Sequence, residues 1–263
     1  MTAIAHRAAL LHSLADPAEV GLDASYEYHA DGLLLVADGR IQAMGPAAEL
    51  LPTLPAGTPV IEHPHALITP GFVDTHIHYP QTGMIASYAE QLLDWLDTYT
   101  FPTEGAFADP AKAAEVAEVF VGELLRNGTT SAMVWSTVHR GSAETLFTQA
   151  QQRGMRMITG KVMMDRNCPE YLRDTAESGA RDTADLISRW HGKDRLAYAI
   201  TPRFAPTSSE AQLQACAELA KQYKDVFIQT HVAENPDEVK WVADLFPDAR
   251  SYLDVYDRYG LLR

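Results

Sequence analysis

Three histidines and one glutamate have the types and spacing of a metal-dependent hydrolytic site. His76 and His78 end an apolar segment, and side chains two positions apart on a strand point to the same face. His231 follows a second apolar run, with Glu234 three residues further on. Imidazole nitrogens suit Zn²⁺ or Fe²⁺, and such an ion lowers the pKa of a water molecule to about 7. The pattern predicts that the three histidines hold the metal and that Glu234 is the general acid/base.

The chain places these residues at the ends of predicted strands. Strands are expected at 66–75, 129–135, 155–162, 196–201 and 226–230. Helices are expected at 89–99, 111–127, 143–153, 175–190, 209–223, 236–245 and 252–259. Repeated strand-then-helix units predict a parallel sheet with right-handed crossovers. The carboxyl ends of its strands share one side, where α/β folds place catalytic residues, so we expect the histidines to meet there.

Two architectures fit this alternation: an open doubly wound sheet and a closed barrel. No G-x-G-x-x-G follows any predicted strand, which disfavours a dinucleotide-binding Rossmann fold. A complete eight-unit barrel needs about 250 residues. Fewer than that follow residue 68, so we predict an α/β fold made of the first five to six βα units of a TIM-like (β/α)8 barrel.

The first 68 residues have a different pattern. Short β-like segments are predicted at 26–30, 32–37, 40–44 and 60–62, and Asp38-Gly39 is a strong hairpin signal between two of them. We therefore predict an N-terminal β-sheet subdomain over residues 1–68 and the partial barrel over residues 69–263.

The amino-acid composition indicates which binding partners are disfavoured and which cellular compartment to expect. A net charge of −14 argues against nucleic acid or an anionic membrane surface as partner, because phosphate binding needs a basic patch. Cys168 and Cys216 are isolated and indicate a reducing compartment. The sequence has neither a signal-peptide pattern nor a run long enough to span a membrane, so we expect a cytoplasmic protein.

Several motifs carry a specific family resemblance. The segment Pro-Gly-Phe-Val-Asp-Thr-His-Ile-His at 70–78 resembles the first-strand motif of the metal-dependent amidohydrolase superfamily. His-Val-Ala-Glu at 231–234 resembles the fifth-strand motif of its nucleobase deaminases. The segments 79–81, 90–104 and 201–204 resemble guanine deaminases in particular. The resemblance implies zinc-dependent hydrolysis of guanine to xanthine and ammonia by a homodimer.

The resemblance also implies which residues hold the base: Gln81, Arg203 and Phe204. The roles are physically reasonable, because an arginine fork can bond the adjacent O6 and N7 acceptors of guanine. Adenine carries an amino donor at C6, which would leave the same arginine badly paired. Phe204 offers an apolar face to the purine, and the Gln81 amide can both donate and accept.

The sequence departs from the family at its C-terminal end. The family has a further histidine after the sixth strand, an aspartate after the eighth, and a C-terminal segment that completes the β-subdomain, and residues 1–263 contain none of them. We therefore expect a part of a longer protein or a truncation. The alternatives are another deaminase or a chlorohydrolase of the superfamily, or an inactive metal-binding fragment.

Overall fold

The computed structural model describes residues 3–263, which divide after Gly71 into two compact units. The first unit contains a four-stranded sheet in the order β3-β2-β1-β4. Its strands are β1 (Ala3–Ser13), β2 (Tyr26–Ala37), β3 (Arg40–Pro46) and β4 (Val60–Ile68), and its short helices are α1 (Pro17–Val20) and α2 (Ala47–Leu50). The predicted domain boundary after residue 68 remains a prediction.

The hairpin predicted at Asp38-Gly39 is confirmed. Both residues have positive φ, 52° and 70°, the combination that a type I′ turn requires, and Ala37 pairs with Arg40 across it. The two segments predicted before the turn form one strand, β2. The sequence reading missed β1, which pairs with both β2 and β4. Its alanines, histidines and arginine have little β-propensity, so the two flanking strands determine its conformation.

The second unit contains a parallel sheet with the strand path β5-β6-β7-β9-β10. The short strand β8 pairs with β9 beside this path. The strands are β5 (Phe72–His78), β6 (Thr129–Trp135), β7 (Arg156–Gly160), β8 (Val162–Met163), β9 (Leu196–Pro202) and β10 (Phe227–Ile228). The path follows chain order and never reverses, as in a barrel and unlike a doubly wound sheet.

Eight α-helices of the second unit lie in the described part of the chain. They are α3 (Leu92–Trp95), α4 (Phe101–Gly105), α5 (Pro110–Arg126), α6 (Arg140–Gln152), α7 (Ala176–Trp190), α8 (Glu210–Gln222), α9 (Pro236–Leu245) and α10 (Tyr252–Arg258). Side chains cap several of them: Asp109 starts α5, Thr175 starts α7 and Ser209 starts α8. No helix among residues 3–263 is long and apolar enough to cross a membrane.

Several predicted bounds shift, such as the strand predicted at 226–230, which is only Phe227–Ile228, and three segments are divided differently from the prediction. The strand predicted at 66–75 is two strands, because β4 ends at Ile68 and β5 begins at Phe72, and Pro70 between them has no N–H for a ladder. The strand predicted at 155–162 breaks at Lys161, whose N–H donates to the Tyr198 hydroxyl. The helix predicted at 89–99 is interrupted by a π-helical turn, Leu96–Thr100, between α3 and α4.

The parallel sheet is strongly curled. β5 and β10 stand at opposite ends of the strand path, and four strand spacings in a flat sheet would separate them by about 19 Å. His78 at the end of β5 and His231 just after β10 nevertheless bring their Nε2 atoms within 3.1 Å of each other. Helices pack around the sheet over a core that includes Val121, Phe147 and Leu213. The unit is thus the curled half-barrel of a partial TIM-like fold.

Candidate active site

The curl brings three histidines from distant parts of the chain together. His76, His78 and His231 each offer a ring nitrogen, and these atoms lie within 4.8 Å of one another. His76 is exposed, His78 is half-buried and His231 is buried. His76 and His78 share one strand, as predicted from their spacing. The cluster has the donor type and the separation that a single metal ion requires.

Backbone contacts orient His231. Its Nδ1–H donates to the carbonyl oxygen of Arg203 at 2.9 Å, and its backbone N–H donates to the same oxygen at 3.1 Å. A carbonyl can only accept, so the proton is on Nδ1 and the lone pair of Nε2 faces His78. Burial, and then the positive charge of Arg203, lower the pKa of His231 to about 3. Burial and the neighbouring His231 hold the pKa of His78 well below its usual value. Both rings are neutral, the form that binds metal.

Trp135 forms a wall of the histidine cluster. It ends β6, pairs in register with His78 and is 1% exposed. Its ring centroid lies 3.9 Å from that of His231 and 5.2 Å from that of His78. Sequence reasoning did not single it out, although an aromatic residue at the carboxyl end of a predicted strand was a usable signal.

Glu234 lies on the loop that follows β10. The preceding Ala233 has a φ of 60°, a left-handed conformation that turns the chain sharply. The backbone N–H of Glu234 donates to the Glu238 carboxylate at 2.8 Å. Burial raises the pKa of Glu234, as does the negative charge of Glu238, while His76 and Arg203 oppose this. A carboxyl group with a raised pKa can carry a proton closer to neutral pH.

One cavity of about 300 Å³ unites the predicted residues. All seven line it: His76, His78, Gln81, Arg203, Phe204, His231 and Glu234. Leu92, Trp95 and Leu96, which sequence reasoning did not assign to a site, add an apolar wall. The volume suits a small flat molecule held between apolar walls and a few polar groups.

Arg203 reaches the cavity while paired to a residue that the sequence analysis did not assign. Its Nη1 donates to Glu104 Oε2 at 2.6 Å, and the two side chains are 3% and 0% exposed. Its guanidinium also lies over the ring of Phe101, 5.4 Å from the centroid. Glu104 had no individual signal in the sequence beyond its place in the segment 90–104. The π-helical turn before α4 helps to place it, and such turns are frequent at functional sites.

Known proteins resemble the chain both in amino-acid sequence and in three-dimensional structure. The amidohydrolase family model matches residues 67–263. Guanine deaminase of Escherichia coli (strain K12) is 51% identical over 231 residues, which are 88% of this chain and 53% of that protein. A solved structure of E. coli guanine deaminase superposes with a TM-score of 0.94 at 47% identity, over 98% of this chain and 60% of that one.

Two further solved structures show the same likeness. Guanine deaminase from Bradyrhizobium japonicum superposes with a TM-score of 0.95 at 37% identity, over 100% of this chain and 57% of that chain. Guanine deaminase from C. acetobutylicum, with bound guanine in its active site, superposes with a TM-score of 0.87 at 29% identity, over 98% of this chain and 60% of that chain.

The chain thus spans between half and two thirds of the length of these relatives. The family model nevertheless covers most of the chain, including both histidine motifs and the glutamate. The parallel half-barrel and the histidine cluster at its carboxyl edge agree with that match. The chain belongs to the amidohydrolase family.

Proposed function

We propose that the protein hydrolyses guanine to xanthine and ammonia as a zinc-dependent deaminase. One observation carries the proposal: a single cavity holds three converging imidazoles, a carboxyl with a raised pKa and a buried arginine. The similarity to guanine deaminases, at up to 51% identity, supports the same reaction and disfavours other members of the superfamily.

The histidine cluster fits a divalent metal ion. The Nε2 lone pair of His231 faces His78 Nε2 at 3.1 Å, and two imidazole nitrogens at that distance suit a shared cation. His76, His78 and His231 would hold Zn²⁺, with Fe²⁺ the other candidate. When bound, such an ion makes a water molecule acidic enough to lose a proton near neutral pH.

The substrate would lie between Arg203, Gln81 and Phe204. The Glu104 bond occupies one donor of the Arg203 fork, which leaves Nε and Nη2 donors for the O6 and N7 acceptors of guanine. Gln81 supplies an amide that can donate and accept, and Phe204, 4% exposed, supplies an apolar surface for the ring.

Glu234 would move the protons. As water attacks C2, the carboxylate takes a proton from that water and delivers it to the purine ring. It then takes the remaining proton from the new C2 hydroxyl and passes it to the amine as the C2–N bond breaks, so ammonia leaves and a C2 carbonyl remains. Glu234 lines the same cavity as the proposed substrate contacts, so one carboxyl can serve both transfers.

The test follows guanine absorbance and ammonia release, together with the zinc content of each variant. Arg203→Ala should lower kcat/KM for guanine by on the order of a hundredfold, because the side chain assigned to the substrate is lost. Zinc content should stay unchanged, because the backbone carbonyl of residue 203 that holds His231 remains. Glu234→Gln should lower kcat by about 10²–10⁴-fold, the usual contribution of a general acid/base. Arg189→Ala, a surface residue paired with Glu144, is the matched control.

Three results would contradict the proposal. Turnover of a triazine, an adenosine-type or an oxidised-guanine substrate with guanine inert would favour another superfamily activity. Bound zinc without any loss of guanine would favour a metal-binding fragment. Equal losses of zinc and turnover in Arg203→Ala would remove its assigned role in substrate binding.

We also propose a cytoplasmic homodimer. The free Cys168 and Cys216 of the described chain suit a reducing compartment, and the homodimer rests on the family resemblance alone. Cell fractionation and light scattering of the purified protein test the two statements, and a secreted protein or a monomer would contradict them.

A further inference from the structure

The Arg203–Glu104 pair gives the cavity an unusual charge balance. Arg203 lines the cavity, whereas Glu104 is fully buried behind it and does not line it. Glu104 Oε1 has no hydrogen-bond partner among the described residues, so its carboxylate makes only the one bond to Arg203. A buried charge is costly unless it is paired, and each member of this pair supplies the countercharge of the other.

An unpaired arginine at this position would favour anions. A lone guanidinium in a site of low dielectric attracts negative charge strongly, and a bound divalent cation would add to that attraction. The Glu104 carboxylate, 2.6 Å from Arg203 Nη1, cancels most of this field at the ligand while the guanidinium keeps its remaining donors. The pair thus offers directed hydrogen bonds without a net charge.

This balance matters because the substrate and the product differ in acidity. Replacing the C2 amino group of guanine by oxygen gives xanthine, which loses a proton more readily and becomes an anion in mildly alkaline solution. We propose that Glu104 is a specificity-determining residue that makes the cavity select uncharged purines and release the more acidic product. This inference rests on the proposed function, because it takes the ligand to be a purine.

The test compares two purines with the same O6 and N7 acceptors. Hypoxanthine stays mostly neutral in a mildly alkaline buffer in which xanthine is largely anionic, and titration calorimetry on the purified metal-loaded protein gives a Kd for each. Glu104→Gln keeps the shape and a hydrogen-bond acceptor but removes the charge. It should shift the affinity ratio toward xanthine by on the order of tenfold, the effect of one charge removed at short range. Glu144→Gln, the partner of Arg189 on the surface, should leave the ratio unchanged.

A double-mutant cycle with Arg203→Gln keeps the inference testable if Glu104→Gln does not fold. Arg203→Gln removes the guanidinium that attracts anions, and the buried Glu104 then either keeps its charge or takes up a proton, so in neither case should the affinity ratio shift toward xanthine. The double variant with Glu104→Gln carries no charge at either position, and its ratio should return toward that of the unmodified protein.

The outcomes separate the two proposals. An unchanged ratio in Glu104→Gln, or a shift toward xanthine in Arg203→Gln or in the double variant, would overturn the specificity role. Absence of binding of both purines to the unmodified protein would overturn it as well. Guanine turnover is measured separately, and a purine-binding protein without deaminase activity would still show the charge selectivity.

Discussion

Two buried polar clusters occupy the second unit, and they differ in how completely their groups are paired. We call the first the open cluster: His78, His231, Arg203 and Glu104. We call the second the closed cluster: Ser136, Lys161, Asp174 and Tyr198. In the closed cluster Lys161 Nζ donates to Asp174 and to the Val162 carbonyl, and Ser136 Oγ donates to the Gly160 carbonyl. The Tyr198 hydroxyl accepts the Lys161 backbone N–H at 3.0 Å.

The open cluster leaves acceptors and donors unpaired. His78 Nδ1 and Glu104 Oε1 have no hydrogen-bond partner among residues 3–263, nor does Nε1 of the adjacent Trp135. Buried polar groups are normally paired, so each of these unpaired atoms needs an explanation. A fully paired cluster contributes to stability, whereas the unpaired His78 Nδ1 and the facing Nε2 atoms of His78 and His231 are compatible with the proposed metal site.

The largest expected effect is a loss of metal and activity when the open cluster is changed. His231→Ala should remove zinc from the purified protein and lower guanine turnover by on the order of a thousandfold, because a metal contributes several kcal/mol to such reactions. Metal analysis and an activity assay measure the two quantities. His12→Ala, a histidine paired with Glu27 in the first unit, is the control. An unchanged zinc stoichiometry would exclude His231 from the ligands.

The second prediction is the opposite one for the closed cluster: a substitution there should lower stability and leave activity unchanged. Lys161→Met leaves the Asp174 carboxylate buried without its cation and should lower the free energy of unfolding by about 3–5 kcal/mol. Turnover per folded molecule should not change. Denaturant unfolding measures the loss, and Lys112→Met, at an exposed pair with Glu115, should cost less than about 1 kcal/mol. A Lys161→Met protein with an unchanged free energy of unfolding would show that the closed cluster does not stabilise the fold.

A third prediction concerns the residue that holds the loop of the open cluster. Glu238 accepts N–H bonds from Glu234 and Asn235 and the hydroxyl of Tyr252 at 2.6 Å. Glu238→Gln weakens this anchor and should lower kcat by about tenfold with zinc unchanged, the effect typical of groups that orient a site. The matched control is Asp237→Asn, since that carboxylate is exposed. If kcat stays the same, Glu234 is positioned without Glu238.

The smallest expected effect concerns Asp254 in α10, which belongs to neither cluster. Hydrogen bonds from Arg250, and then from Arg258, lower the pKa of Asp254 to about 2. Its ordinary pKa is 3.8, so the unfolded chain binds the proton first as the pH falls. The ionised Asp254, bonded to the two arginines, therefore stabilises the fold above about pH 4, and this contribution is lost between that pH and pH 2. Asp254→Asn should flatten this part of a stability-against-pH curve, and an unchanged slope would contradict the assignment.

The repeating units of the second region were largely predictable. The strand at 129–135 and the helix at 236–245 were predicted with the bounds that the structure shows. Both have continuous apolar or periodic patterns and clear terminal signals, such as Asn235 and Pro236 at the start of the helix. The interruption at Leu96–Thr100 was not predictable, because a π-helical turn has no residue pattern of its own.

The sequence by itself determined the fold class, the family and the seven candidate site residues, whose roles remain proposals. Those signals are local: two histidines on one strand, a histidine and a glutamate three residues apart, and an arginine after a strand. Only the tertiary structure decided which groups meet. His78 and His231 are 153 positions apart and Arg203 and Glu104 are 99 apart, and no spacing rule connects them. The curl of the sheet and the helical segment before α5 bring them together, because burial and packing select contacts that chain order does not specify.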